Sequence, residues 1–297
     1  RTRRQMLLGT LATFGALATA CSSARVVTPA DGAERSGGER ALDAIEAKIG
    51  GRVGVFALDT GNGRQLGHRP DERFAMASTF KWVLAAAVLA RVDRAELSLA
   101  DRVPYGTTDL LEYAPVARDH VGEGGLSLDA LGRAAVTVSD NTAANLLLAK
   151  IGGPAGFTQF VRARGDVVTR LDRDEPTLNL NEPNDPRDTT SPRAMVGLLR
   201  AILCGDVLSA ASRQHLLGWM RACETGKERL RAGLPPEWIV GDKTGTALHG
   251  ALNDVAIVEP PGRAPILVAA YLSDGSAGEA SLLGAQAEIG RLVAREL

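Results

Sequence analysis

The chain has 297 residues, of which 45% are hydrophobic and 23% charged, with a formal net charge of −1. That is ordinary globular composition, with length enough for one large core or two joined ones. Near-neutrality excludes a polyanion-binding surface, and an aromatic content of 4% argues against a stacking platform for single strands. Lysine is scarce, 5 residues against 29 arginines, so a lysine inside a candidate site is informative.

The first segment, "RTRRQMLLGTLATFGALATACSS", sets a basic start before an apolar run from Met6 to Ala20 and then small residues, the layout of a signal peptide over 1–21. The run is shorter than the ~20 residues of a membrane span. Thr2-Arg3-Arg4 before Met6-Leu7-Leu8 resembles a twin-arginine export signal. Ala20-Cys21 resembles a lipoprotein cleavage site with Ala18 in place of the more usual leucine, which leaves two fates open: periplasmic or extracellular release, or lipid anchoring through Cys21 at the outer face of the cell membrane. Residues 22–38 are small, polar and rich in Gly, a linker.

"RALDAIEAKIG" has helical periodicity that Gly50 ends, and "GRVGVFALDTGNGRQLGHRP" alternates around a Thr60–Gly63 turn, a β-hairpin pattern. "MASTFKWVLAAAVLA" (76–90) is a helix apolar on nearly every face, hence buried. It carries Lys81, whose ammonium is costly there unless paired or neutralised. The helical pattern continues to about Met220, with Ser191-Pro192 as one clear helix start. It is broken by "RLDRDEPTLNLNEPNDPRDTT", a long aperiodic loop of the kind that is usually functional. "DKTGT" (242–246) lies on a predicted strand, "NDVAIVEP" and "APILVAAYL" form two antiparallel strands around Pro260-Pro261-Gly262, and a helix closes the chain. The expected fold is α/β (α+β): an antiparallel sheet built from both chain ends with flanking helices (39–76 plus 219–297), and an inserted all-α domain (77–218) carrying the long loop at about 170–188. Cys204 and Cys223 lie in apolar helical contexts and read as small core residues rather than a disulfide framework.

Ser78 and Lys81 stand one helical turn apart, and a serine hydroxyl is a weak nucleophile until a base takes its proton. Burial lowers a lysine's pKa, so a neutral amine base is available there. Ser78 also sits at a helix N-terminus, which favours developing negative charge. Taken alone the Ser-x-x-Lys pattern is short, and Lys81 could equally snorkel to water. Ser139-Asp140-Asn141 precedes another helix: Ser139 could relay a proton and Asn141 could bond a substrate amide, or the three could simply cap the helix. Lys243 and Thr244 suit a carboxylate ligand, with Gly245 letting a substrate backbone lie close.

These three motifs, in this order, resemble the class A serine β-lactamases within the penicillin-binding superfamily, over about residues 38–297. The resemblance implies a two-domain β-lactamase/transpeptidase-like fold and hydrolysis of the β-lactam amide of penicillins or cephalosporins through an acyl-enzyme on Ser78, conferring antibiotic resistance. It implies oxyanion donors from the backbone N–H groups of Ser78 and Thr246, proton handling by Lys81 and Ser139, and a carboxylate site from Lys243, Thr244 and Thr246. "RDEPTLN" matches the family's Ω-loop, which implies Glu175 as activator of the deacylating water, Asn179 beside it, Asn145 steadying Glu175, and an Arg173–Asp188 ion pair closing the loop. Tyr113 would be an aromatic wall of the cleft. The strand after Lys-Thr-Gly lacks the arginine many members carry, and "TGKERLRAGLP" resembles the subgroup that supplies it earlier, with Arg229 favoured over Arg231. No cofactor is implied, and the four histidines are too scattered for a metal centre. The expected partner is a small β-lactam, with neither nucleic acid nor a membrane span, and the expected state is a monomer. A D-Ala-D-Ala carboxypeptidase would share the first three motifs without the Glu175–Asn179 arrangement. A β-lactam sensor would acylate and stay acylated, normally beside a membrane span.

Overall fold

The computed structural model describes residues 37–297; the expected signal peptide and nearly all of the expected linker lie outside the described residues. Helix α1 (Gly37–Ile49) buries Leu42, Ile45 and Ile49 on one face, so the last two residues assigned to the linker already belong to it. It ends where expected, Gly50 taking the left-handed φ of 64° that closes many helices. The hairpin follows as β1 (Arg52–Asp59) and β2 (Gln65–His68).

A two-residue strand β3 (Phe74–Ala75) leads through a 3₁₀ turn (Ala77–Thr79) into α2 (Phe80–Asp93), buried continuously from Phe80 to Ala90. After β4 (Arg102–Val103), α3 (Pro115–Asp119) and β5 (Leu126–Ser127) come α4 (Leu128–Thr137), α5 (Asn141–Ile151) and α6 (Gly153–Arg162). The long loop contains a single 3₁₀ turn (Thr177–Asn179) and ends in β6 (Thr189–Thr190), before α7 (Pro192–Leu199) and α8 (Ala210–Arg221). Ser191 caps α7 by accepting from Ala194 N. The expected domain boundary at 218/219 falls inside α8, whose apolar run through Trp219 and Met220 stays buried and helical.

Strands β7 (Ile239–Ala247), β8 (Ala251–Glu259) and β9 (Ile266–Ser273) then precede α9 (Glu279–Glu296). The main sheet is antiparallel throughout, in the order β2-β1-β9-β8-β7, so strands from the two chain ends meet at β1 and β9. α1 and α9 cover one face, burying Leu42, Ile45, Ile289 and Val293 against Val55, Ala256 and Val268. The other face (Phe56, Val255, Ile257, Leu267) shares a core with α2, α4, α5, α7 and α8. β7 is left as an edge strand, and its outer side forms one wall of the cleft. Two short ribbons were not legible beforehand. One, β3–β6, ties the chain before α2 to the exit of the long loop; the other is β4–β5.

The reading of both cysteines as core residues is corrected for Cys204, which is exposed; Cys223 is buried, in the loop after α8, and both are free thiols. Cys204 ends a π-helical turn continuing α7, whose widened geometry carries it off the buried face held by Ile202 and Leu203.

Candidate active site

The turn carrying Ser78 is held from four sides. Met76 O accepts from Thr79 N (3.1 Å), Thr79 Oγ1 (2.7 Å) and Asn253 Nδ2 (3.3 Å), and Met76 N donates to Asp188 O (2.9 Å). Ala77, directly before Ser78, has a φ of 45°, a conformation that costs a non-glycine residue about 1–3 kcal/mol unless its surroundings enforce it. Gly245 on β7 supplies part of that enforcement. A Cβ there would lie 2.7 Å from Met76 O and 3.1 Å from Thr79 N. The glycine is therefore needed so that the strand can reach the nucleophile's turn, which corrects the expectation that it mainly makes room for substrate backbone.

Lys81 is fully buried. Its ammonium donates to Ser139 O (2.8 Å), Asn141 Oδ1 (2.6 Å) and Ser139 Oγ (3.4 Å), and pairs with Glu175 Oε1 at 2.9 Å. Burial pushes its pKa down, opposed by the neighbouring Glu175 and Asp140 carboxylates. Ser78 Oγ donates to that same Glu175 oxygen at 3.3 Å. Serine and lysine thus converge on one carboxylate rather than on each other, a difference from the direct Ser78–Lys81 pairing expected. Glu175 Oε2 accepts from Asn179 Nδ2 at 2.6 Å, and the Asn145 amide grips the Glu175 backbone from both sides, accepting from its N–H (3.0 Å) and donating to its C=O (2.8 Å).

Behind the loop, Asp188 accepts from Asp172 N (2.7 Å), Arg173 N (2.9 Å) and Arg173 Nε (2.5 Å), so the expected ion pair is present and also fixes the loop backbone. Across the cleft, Asp140 caps α5 by accepting from Ala143 N and also accepts from Val116 N and Ala117 N. The capping reading and the site reading of Ser139-Asp140-Asn141 are both right, for different residues. Ser139, at φ 63°, accepts from Lys243 Nζ at 3.0 Å. Burial, reinforced by the nearby Lys81 charge, brings the Lys243 ammonium down to about 7.

Together these elements enclose a cleft of about 330 Å³ lined by Ser78, Tyr113, Ser139, Asn141, Asn179, Thr225, Arg229, Thr244, Gly245 and Thr246. Lys81, Glu175 and Lys243 lie buried around it. Arg229 donates to Gly245 O (2.8 Å), Asn253 O (2.6 Å) and Thr246 Oγ1 (2.8 Å), whereas Arg231 is engaged with Asp242. Two contributors escaped the sequence reading. Thr225 bonds Thr244 Oγ1 at 2.5 Å. Asn253 bonds Ala75 O (2.9 Å) and Met76 O, joining β8 to the nucleophile's turn. Thr225 stands in the quoted "TGKERLRAGLP" segment, but Asn253 had no local signal.

Comparison with known proteins decides the family. Residues 38–297 match the β-lactamase enzyme family. The chain is 45% identical to β-lactamase AST-1 of Nocardia asteroides, over 90% of this chain and 87% of that one. It is 45% identical to β-lactamase L2 of Stenotrophomonas maltophilia, over 94% and 91% respectively. An ancestral class A β-lactamase of known structure superposes with a TM-score of 0.86 at 54% identity, covering 88% of this chain and 100% of that one. The chain belongs to the class A β-lactamases. This β-lactamase therefore hydrolyses β-lactam amides and confers resistance to them, and the fold is the two-domain fold of that family. Among the described residues no helix is long and apolar enough to cross a membrane.

Proposed function

We propose that Ser78 is the acylated nucleophile and Glu175 the base of deacylation. The observation that carries this reading is the shared oxygen: Glu175 Oε1 lies 3.3 Å from Ser78 Oγ and 2.9 Å from Lys81 Nζ. A carboxylate so placed can orient a water against an ester on Ser78, with Asn179 holding its second oxygen. In acylation the Ser78 proton leaves toward Lys81 or Glu175, the Ser78 oxygen attacks the lactam carbonyl, and the backbone N–H groups of Ser78 and Thr246 receive the oxyanion. Ser139, within reach of both lysines, returns a proton to the lactam nitrogen as the C–N bond breaks. The substrate carboxylate is taken by Lys243, Thr244, Thr246 and Arg229, its side-chain amide by Asn141, and Tyr113 walls the mouth. Water on Glu175 then cleaves the ester and restores Ser78. Asn145, Arg173 and Asp188 hold the loop that presents Glu175.

The same reading assigns 39–76 with 219–297 to the sheet domain and 77–218 to the helical insertion, α8 crossing between them. It also takes the enzyme to be a monomer, exported by the twin-arginine route and then either released or anchored through Cys21. Incubating Ser78→Ala with a chromogenic cephalosporin tests the core of the proposal. Loss of both turnover and covalent adduct, with thermal unfolding unchanged, is the expected result; an adduct on another residue overturns it.

A further inference from the structure

On the sheet face away from the nucleophile lie two fully buried carboxylates that the reaction does not use, Asp242 of β7 and Asp254 of β8. The register pairs Asp242 with Ala256 and Thr244 with Asp254, so the two acids are diagonal neighbours on one face, the face covered by α9. Each is half satisfied. Asp242 Oδ1 is bonded by Arg231 Nη2, and Asp254 Oδ2 accepts from Leu230 N at 3.2 Å. Asp242 Oδ2 and Asp254 Oδ1 are both buried without a hydrogen-bond partner. Space has been cleared for the first of these: a Cβ on Gly226 would lie 1.6 Å from Asp242 Oδ2. Two orphaned acceptors on adjacent buried carboxylates are expensive, and one hydrogen satisfies both, as a donor from one carboxyl to the other.

We propose that Asp242 and Asp254 share one proton between their unpartnered oxygens, and that the pair is a positioning device for Arg229 at the carboxylate end of the cleft. Burial raises the proton affinity of both acids, and for Asp254 the charge of Asp242 raises it further. The ionisable groups around them are Cys223 after α8, Arg229 and Arg231 from the turn above, and Lys243 of β7; Tyr271 of β9 is influenced by Asp254, and Arg229 by Glu279 of α9. The Cys223 thiol is a weak donor that favours the ionised form of Asp242 without saturating it. Among the acids that favour a charged Arg229, Asp254 acts most strongly.

The charge count gives the pair its function. With one shared proton the two acids carry a single negative charge against the two guanidinium groups, so a positive charge remains for the substrate carboxylate. With both acids ionised, the guanidinium charge would be cancelled from behind and Arg229 drawn off Gly245 O and Thr246 Oγ1. This rests on the proposed role of Arg229 in binding substrate; the existence of the shared proton does not.

The test uses the whole enzyme labelled with carbon-13 at the aspartate carboxyls, the two resonances assigned by loss in Asp242→Asn and Asp254→Asn. Between about pH 5 and pH 8 the pair is expected to retain one proton while surface aspartates are fully ionised; two ionised carboxyls across that range overturn the proposal. Kinetics with an anionic cephalosporin separate positioning from bulk structure. Asp254→Asn, whose amide can donate where the shared proton did, is expected to keep KM within about twofold, and Asp254→Ala to raise it about tenfold with kcat little changed. Equal KM values for the two variants overturn the positioning role. An unchanged KM in Arg229→Ala overturns the reading of Arg229 and the positioning role with it, while the carboxyl spectrum still reports the proton.

Discussion

Replacing Gly245 by alanine tests how the nucleophile is held. The added methyl would lie 2.7 Å from Met76 O, where ordinary contact begins near 3.4 Å, so the strand or the turn must move by about 0.7 Å. Met76 O cannot simply yield, because Thr79 N, Thr79 Oγ1 and Asn253 Nδ2 all bond to it. Overpacking of this kind costs ~1–3 kcal/mol, which at ~2–4 °C per kcal/mol for a domain of roughly this size lowers Tm by ~2–12 °C. Ser78 lies between Met76 and Thr79 and moves with them. Since a misplacement of ~1 Å can cost ~10²-fold in rate, acylation should slow on the order of tenfold or more. Stopped-flow acylation by a chromogenic cephalosporin and thermal unfolding measure the two effects. Gly218→Ala in α8, where an added Cβ meets nothing within 4 Å, is the control and should leave both unchanged or raise Tm slightly. An alanine at position 245 that acylates and unfolds like wild type would refute the packing argument.

Asp188→Ala strips a buried partner from Arg173 and frees two loop N–H groups, so it should cost ~3–5 kcal/mol and slow deacylation more than acylation, seen as a larger burst before a slower steady state. Arg173→Ala, which leaves the backbone bonds of Asp188 intact, should be the milder of the two by both measures. Lys243 has its pKa brought down to about 7 by burial, so its cation is present below that pH and lost above it; kcat/KM for an anionic substrate should fall as pH rises through about 7. In Lys243→Arg the guanidinium stays charged, and a pH–rate profile should lose that limb. A native chain beginning at residue 22 should present one fast-reacting thiol, Cys204, with Cys223 reacting only on unfolding, as counted with a thiol-specific chromogenic reagent.

The order of helices and strands was largely legible because long elements carry a hydrophobic period. The buried α2, the 60–63 turn and the runs of β8 and β9 are examples, and Gly50 and Ser191-Pro192 punctuate them as capping chemistry requires. Two-residue strands such as β3 and β6 are shorter than any period and exist through long-range pairing alone. The site divided in the same way. Residues in compact motifs, Ser78 with Lys81, Ser139 to Asn141 and Lys243 to Thr246, could be picked out one by one. Asn253 reaches the site from the neighbouring strand β8, bonding a turn 177 residues away in the chain. The purpose of Gly245 was misassigned because the sequence does not say which backbone passes above it. Cys204 was misplaced because a π-helical turn breaks the spacing on which a helical face is counted.

The most direct test of the account follows covalent mass during turnover of a chromogenic cephalosporin by wild type and Glu175→Ala in parallel. The account expects sustained turnover by wild type without a lasting adduct, and in the variant a stable acyl group on Ser78. An equally transient adduct in Glu175→Ala, with turnover near wild type, would contradict the role assigned to that carboxylate.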